Sequence, residues 1–313
     1  MSTAAITSTE HLQLHSAKPS FLGTVRGEFF KIARQWTNWI MLALLLGAIV
    51  LPFVVEITAP NAKTNIQTNP LHFYYNLLSI TLSILRVFTG ILLLILAART
   101  VGLEYQLGTI RILLARGVGR LQLLFAKILT VSLLALGLLV FGLLLNYILA
   151  LILVAGLTGN LNSFNALNST FWSDARIYVL SIILNMGVTI LLATAAAVVG
   201  RSVTFGLSAA LVFFPIDNIA TIIMTLAYRI TQNDFWLSTT AYLLGPNLNA
   251  MAPALTNGRA ESIGATPLYA VDPSGVAHGI QIDGTHTVVV ALVYAAVFAI
   301  IAIVLTWKRD VKE

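Results

Sequence analysis

The chain has 313 residues, 58% of them apolar and only 10% charged, with a mean hydropathy of +0.89. Soluble domains carry about 25% charged residues, so this composition excludes a water-soluble enzyme, a disordered chain and a nucleic-acid-binding domain; long apolar runs separated by short polar stretches describe an all-α polytopic membrane protein. The net charge of +6 matters by the side on which it falls, and the lack of cysteine excludes a disulfide framework, a thiolate metal site and a thiol nucleophile.

Residues 1–20 end His15-Ser16-Ala17-Lys18-Pro19-Ser20 and lack the apolar core of a signal peptide, so they are expected to form a flexible tail on the side where the chain is made. In the next segment, 21–38, Phe21, Val25, Phe29, Ile32 and Trp36 fall on one helical stripe, while Arg26, Lys31 and Arg34 fall off it. That pattern suits an amphipathic helix lying at the interface as an elbow into the first span, with Phe29 and Trp36 toward lipid and Lys31 and Arg34 toward water. It also suits an ordinary helix packed on other protein.

A crossing needs about 20 apolar residues. Six segments qualify: 39–55, 77–98, 128–156, 177–199, 203–227 and 287–307. They make a six-span domain over 39–307 with a short tail at 308–313. Six crossings put both termini on one side. Thirteen Lys and Arg fall on that side, against Lys63, Arg176, Arg229 and Arg259 on the other, so the positive-inside bias places both termini in the cytoplasm.

The inner loop 99–127 predicts a short helix around Ile110, Leu113 and Leu114, started after Gly108 and stopped by Gly117 and Gly119, with Arg111, Arg116 and Arg120 around it. It fits a headgroup anchor or a docking surface. On the outer side, 56–76 and 158–176 read as polar loops. The long loop 228–286 carries the turn signals Gly245-Pro246, Asn257-Gly258 and Asp272-Pro273, with a short helix over 237–244 packed back on the membrane. The triplet Asn168-Ser169-Thr170 matches a glycosylation acceptor only as a chance pattern.

Two ionisable residues fall inside spans: Arg86 in the second, and Asp217, just after Pro215, in the fifth. Counted at 1.5 Å per residue from the inner boundary, both lie at about 20 Å, so they are expected to pair or to share a polar cavity near the outer leaflet. His72, His278 and His286 with Asp272 and Asp283 follow no metal-ligand spacing, and no metal site is expected.

At the inner loop, Glu104-Tyr105-Gln106-Leu107-Gly108-Thr109, then Arg111-Ile112-Leu113-Leu114, then Gly119-Arg120 and Lys127, resembles the permease subunits of type-2 ATP-binding-cassette (ABC) exporters. Glu28-Phe29-Phe30-Lys31 with Arg34 and Trp36 resembles the same family's segment before its first span. The chain departs from the family at Ala115-Arg116-Gly117, where members often carry proline, and in the length of its outer loop 228–286.

The resemblance implies that two permease chains, a homodimer or a heterodimer with a sister permease, form the pathway within the plasma membrane of a bacterial cell. Residues Glu104, Gly108, Thr109, Arg111, Arg116 and Arg120 would belong to a coupling helix seated in a cytosolic ABC ATPase. This chain has no Gly-x-x-x-x-Gly-Lys-Ser/Thr loop, so it is expected to carry no cofactor; ATP and magnesium would sit on the partner. Membrane lipid is the other expected partner; nucleic acid is not. An ion-coupled secondary transporter is the competing reading, disfavoured by a single intramembrane carboxylate and no evident repeat. A membrane-embedded enzyme lacks a clustered nucleophile and base.

Overall fold

The computed structural model describes residues 20–267, 270–271 and 277–308. The tail 1–19, the end 309–313 and the Asp272-Pro273 turn lie outside the described residues.

The described chain is overwhelmingly helical. Helix α1 (Phe21–Ala33) is started by Ser20, whose Oγ accepts from the Gly23 amide at 3.0 Å. After a break at Arg34 and Gln35 come α2 (Trp36–Thr58), a short α3 (Ala62–Thr68), α4 (Pro70–Gln106), α5 (Thr109–Ala115), α6 (Arg120–Thr158) and a 3-10 turn (Asn162–Ala166). The remaining helices are α7 (Ser169–Gly200), α8 (Val203–Thr231), α9 (Phe235–Thr240), α10 (Leu244–Leu255) and α11 (Gly284–Lys308). Between α10 and α11 a two-residue antiparallel pair, β1 (Ala270–Val271) and β2 (Ala277–His278), sets Ala270 opposite His278.

Helices α2, α4, α6, α7, α8 and α11 are long and apolar enough to cross a membrane. They include all six predicted spans and extend them. Helices α4 and α6, of 37 and 39 residues, reach about 55 Å at 1.5 Å per residue, well beyond about 30 Å of hydrocarbon. Their overhanging ends carry the site described below. The start of the third span lies beside the end of the sixth: Arg120, opening α6, reaches the carbonyl of Trp307 at the close of α11 (3.5 Å).

The centre of the bundle is α4 against α7, with Leu85, Leu93, Ala97, Ala98, Ile182, Ala193, Ala197 and Val198 all but sealed. Small residues let backbones approach here. A Cβ on Gly102 of α4 would stand 2.8 Å from the Val203 backbone that opens α8, and one on Gly206 would stand 2.8 Å from Ala197 Cα.

Several expectations need correction. Trp36 does not belong to the elbow helix: α1 stops at Ala33, and Trp36 opens α2 with 76% of its surface exposed. One face of α1 packs on the bundle: Val25, Glu28 and Ile32 are buried, and Lys127 of α6 reaches Glu28.

The presumed loop 56–76 contains α3 and the first turn of α4, which Pro70 starts from a position where a missing N–H costs nothing. In 158–176, α7 begins at Ser169, and Asn168 is its N-cap, accepting from Phe171 N at 2.9 Å. The helix expected over 237–244 is divided between α9 and α10. Gly245-Pro246 is no turn but the first turn of α10, where proline is tolerated for the same reason.

Candidate functional site

At the end of the bundle that holds α1 and α5, four charged side chains from three elements converge. Lys127 of α6 is the hub, 3% exposed. Its Nζ lies 3.0 Å from Glu28 Oε1 of α1 and 2.8 Å from Glu104 Oε1 of α4, and donates to the carbonyl of Thr100 at 2.8 Å. Lys31, one turn on from Glu28, donates to the same Glu104 oxygen at 2.7 Å and lies 3.7 Å from Glu28. Two anions and two cations balance, so the cluster can be buried without net charge. Burial works to lower the Lys31 pKa, but its hydrogen bond to Glu104 and the attraction of Glu104 and Glu28 outweigh that, and it ends above the ordinary lysine value.

The backbone explains why the charges meet. Glu28 stands three residues after Val25 and four before Ile32, so it shares their buried face. Glu104 sits in the last turn of α4 and Lys127 in the third turn of α6. The link between them folds back sharply at two glycines in left-handed backbone, Gly108 (φ 66°) and Gly117 (φ 83°), a conformation glycine adopts without steric cost. Between those glycines lies α5, as the sequence predicts. Ile110, Val118 and Leu123 form its small buried core, while Arg111, Ile112 and Arg116 face outward. Thr109 opens α5, half-buried.

Between α1 and α5 runs a groove of about 800 Å³. Its walls include Gly27, Leu107, Ile112 and Leu113, and Glu28, Lys31, Glu104 and Arg116 also line it. Leu107 is 69% and Ile112 55% exposed. Exposed apolar residues framed by arginines match the apolar centre and polar rim of a protein interface.

Glu104, 3% exposed, lines that groove and ties α1 and α6 to the end of α4. Arg34 stacks over the Phe30 ring at 4.3 Å, and Phe29 is half-buried. Sequence reasoning included Glu28 and Lys127 only as parts of a motif. The signals that identify them are Glu28 on an otherwise apolar stripe and Lys127 inside an apolar run.

Arg86 and Asp217 do not pair. Arg86, 4% exposed, donates to the Leu248 carbonyl (2.6 Å), Asn249 Oδ1 (2.9 Å) and the Ile263 carbonyl (2.9 Å). Asp217 Oδ2 accepts from the Gly245 amide at 2.5 Å. Helix α10 has come between them. Its N-terminal amide meets the carboxylate and its backbone carbonyl meets the guanidinium, so each charge is met by helix backbone. Asn249 bonds both Arg86 and Asn218, the residue that follows Asp217.

On the same side, Arg259 grips Asp174 through two bonds (2.6 and 2.9 Å), and the carboxylate holds the guanidinium well above its ordinary pKa. Tyr75 also donates to Asp174, at 2.7 Å. His278 contacts Asp234 (2.9 Å) and His286 the Ala241 carbonyl (2.8 Å). Among the described residues no three metal-ligating side chains come together.

A bundle of six membrane-length helices with a short glycine-bounded helix clamped to one end defines a polytopic membrane protein. The family described as ABC-2 family transporter protein matches residues 24–239, and the chain belongs to that family, as an ABC-2 type permease. The match spans the charge cluster, α5 and the first five spans. No curated protein and no solved structure matches the chain.

Proposed function

We propose that this protein is the permease subunit of an ATP-driven exporter, working with a cytosolic ABC ATPase on a separate chain, and that α1, α5 and both termini face the cytoplasm. The observation that carries the reading is the buried Glu28–Lys127–Glu104–Lys31 cluster beside an exposed amphipathic α5. A partner pressing on α5 and the α1 groove displaces elements tied by ion pairs to α4 and α6, so the push reaches two spans.

In this mechanism Ile112 and Leu107 give the apolar contact, Arg111 and Arg116 its basic rim, and Gly108 and Thr109 set the angle of α5. Arg120, through the Trp307 carbonyl, ties the start of α6 to the last span. ATP and magnesium are held by the ATPase, since this sequence has no phosphate-binding loop. Two permease chains enclose the pathway.

The chain has no cysteine, so single-cysteine variants report position cleanly. Arg111→Cys is expected to react with a membrane-impermeant maleimide only after the cell is opened, and Lys63→Cys in intact cells. The reverse pattern refutes the orientation. Ile112→Asp is expected to abolish copurification with the ATPase while the chain still inserts and keeps its unfolding temperature. Undiminished copurification refutes the docking surface.

A further inference from the structure

In the half of the bundle away from α1 and α5, a second cavity of about 530 Å³ opens among α2, α4, α6 and α7, roofed by the 3-10 turn. It falls in the size range of pockets that enclose small organic ligands. Its walls are mostly apolar, with Phe53, Leu82, Leu143, Ala150 and Phe171 among them, and the buried Thr81 and Asn146 also line it. The rim is not. Arg176, Trp172 and Tyr147 line the cavity and are exposed, with the exposed Leu180 beside them, so the opening faces sideways, where lipid would be.

Arg176 lies seven residues into α7, roughly 10 Å along the helix. From there its long side chain can reach the headgroup level. Asp174, two residues earlier, is taken by Arg259 and Tyr75. Among the described residues Arg176 has no ion pair or hydrogen bond, and neither the Trp172 indole N–H nor the Tyr147 hydroxyl has a hydrogen-bond partner. An apolar sleeve beneath an uncommitted cation and two hydrogen-bonding aromatics is complementary to one kind of guest.

We propose that this cavity binds an anionic phospholipid, with an acyl chain between α4, α6 and α7 and the phosphate on Arg176, Trp172 and Tyr147. A phosphate gains a charge-assisted contact with the guanidinium. A zwitterionic lipid carries a cation that competes for the same phosphate.

The test reconstitutes the full chain in nanodiscs of phosphatidylcholine doped with phosphatidylglycerol or phosphatidylcholine probes bearing a photoactivatable acyl chain. Crosslinked peptides are mapped by mass spectrometry. The glycerol probe is expected to label 143–150 and 171–180 more than the choline probe. Arg176→Gln, a change at an exposed position, is expected to reduce that labelling about tenfold and to leave the choline probe unchanged. Ala150→Trp, which fills the cavity, is expected to remove labelling by both probes, with thermal unfolding as its folding control. Equal labelling by the two probes, no effect of Arg176→Gln, or labelling confined to other peptides would each overturn the proposal. Because nanodiscs are symmetric and need no ATPase, the outcome is independent of the orientation and docking proposed above.

Discussion

Lys127 is the residue on which the end of the bundle that holds α1 and α5 depends. Replacing it by Ala leaves the buried Glu28 and Glu104 with only the half-exposed Lys31 to balance them. Breaking a buried ion pair from one side costs about 3 to 5 kcal/mol, so Lys127→Ala is expected to lower the unfolding midpoint in detergent sharply. Adding Glu28→Gln should restore part of the loss by removing one stranded anion; a double variant as unstable as the sum of the singles would show that charge is not the cause. Lys31 gives the cluster its pH dependence. Its pKa is raised in the fold, so its contribution is fully present below about pH 10.4, the value of a free lysine, and is lost as pH climbs through the higher folded value. Trp36, three residues after α1, should report this by fluorescence: no change between about pH 6 and about pH 9, and loosening of α1 only in stronger alkali. Loosening near neutrality would contradict the pairing. The sequence marks each of these charges but not their meeting, because Glu28 and Lys127 are 99 residues apart and only the return of α6 beside α4 brings them into contact.

At the level of elements, the long apolar runs and the glycines of the 99–127 loop are legible because their signals are local: hydrophobic length for the spans, left-handed backbone at Gly108 and Gly117 for the edges of α5. Helix α10 was not, since Gly245-Pro246 has the composition of a turn and what makes it a helix start is tertiary. Its N-cap, Leu243, has no polar side chain, Pro246 has no N–H, and Asp217 from α8 reaches in to accept from Gly245. Arg86→Ala and Asp217→Asn should therefore each release the same helix. Although the two residues do not touch, their effects on the unfolding free energy are expected to be less than additive, by about 0.5 kcal/mol or more, because once one anchor is gone the other holds little. Strict additivity would mean that α10 is secured elsewhere. Packing of α4 on α8 makes a second test. Gly102→Ala drives a methyl into the Val203 backbone at 2.8 Å and should destabilise, whereas Gly137→Ala in α6 meets nothing within 4 Å and should stabilise by about 0.5 to 1 kcal/mol from helix propensity. The pair separates close approach from propensity in one unfolding experiment.

For the whole molecule, the proposed two-chain pathway raises the question of which face would meet a second permease chain. Helices α4 and α7 are enclosed by their own neighbours, while α2, α6, α8 and α11 present most of their surface outward. Exposure alone does not choose among the four, since lipid also covers apolar helices. Hydropathy does. The most apolar stretch of α8 averages 1.8 and is 17% buried, against 3.2 and 22% for α11, so the span least covered by its own chain is also the one that gains least from lipid. Its outward face carries Ile216, Ile219, Ile222, Ile223, Leu226 and Ile230, all exposed in the single chain. A single cysteine at Ile222 is expected to form an interchain disulfide under mild oxidation in native membranes, and one at Ile300 of α11, equally exposed, is expected to stay monomeric. Crosslinking at Ile300 alone would move the interface to α11. Crosslinking at neither position, with the ATPase still copurifying, would move the interface to α2 or α6 or mean that a sister permease rather than a second copy completes the pathway.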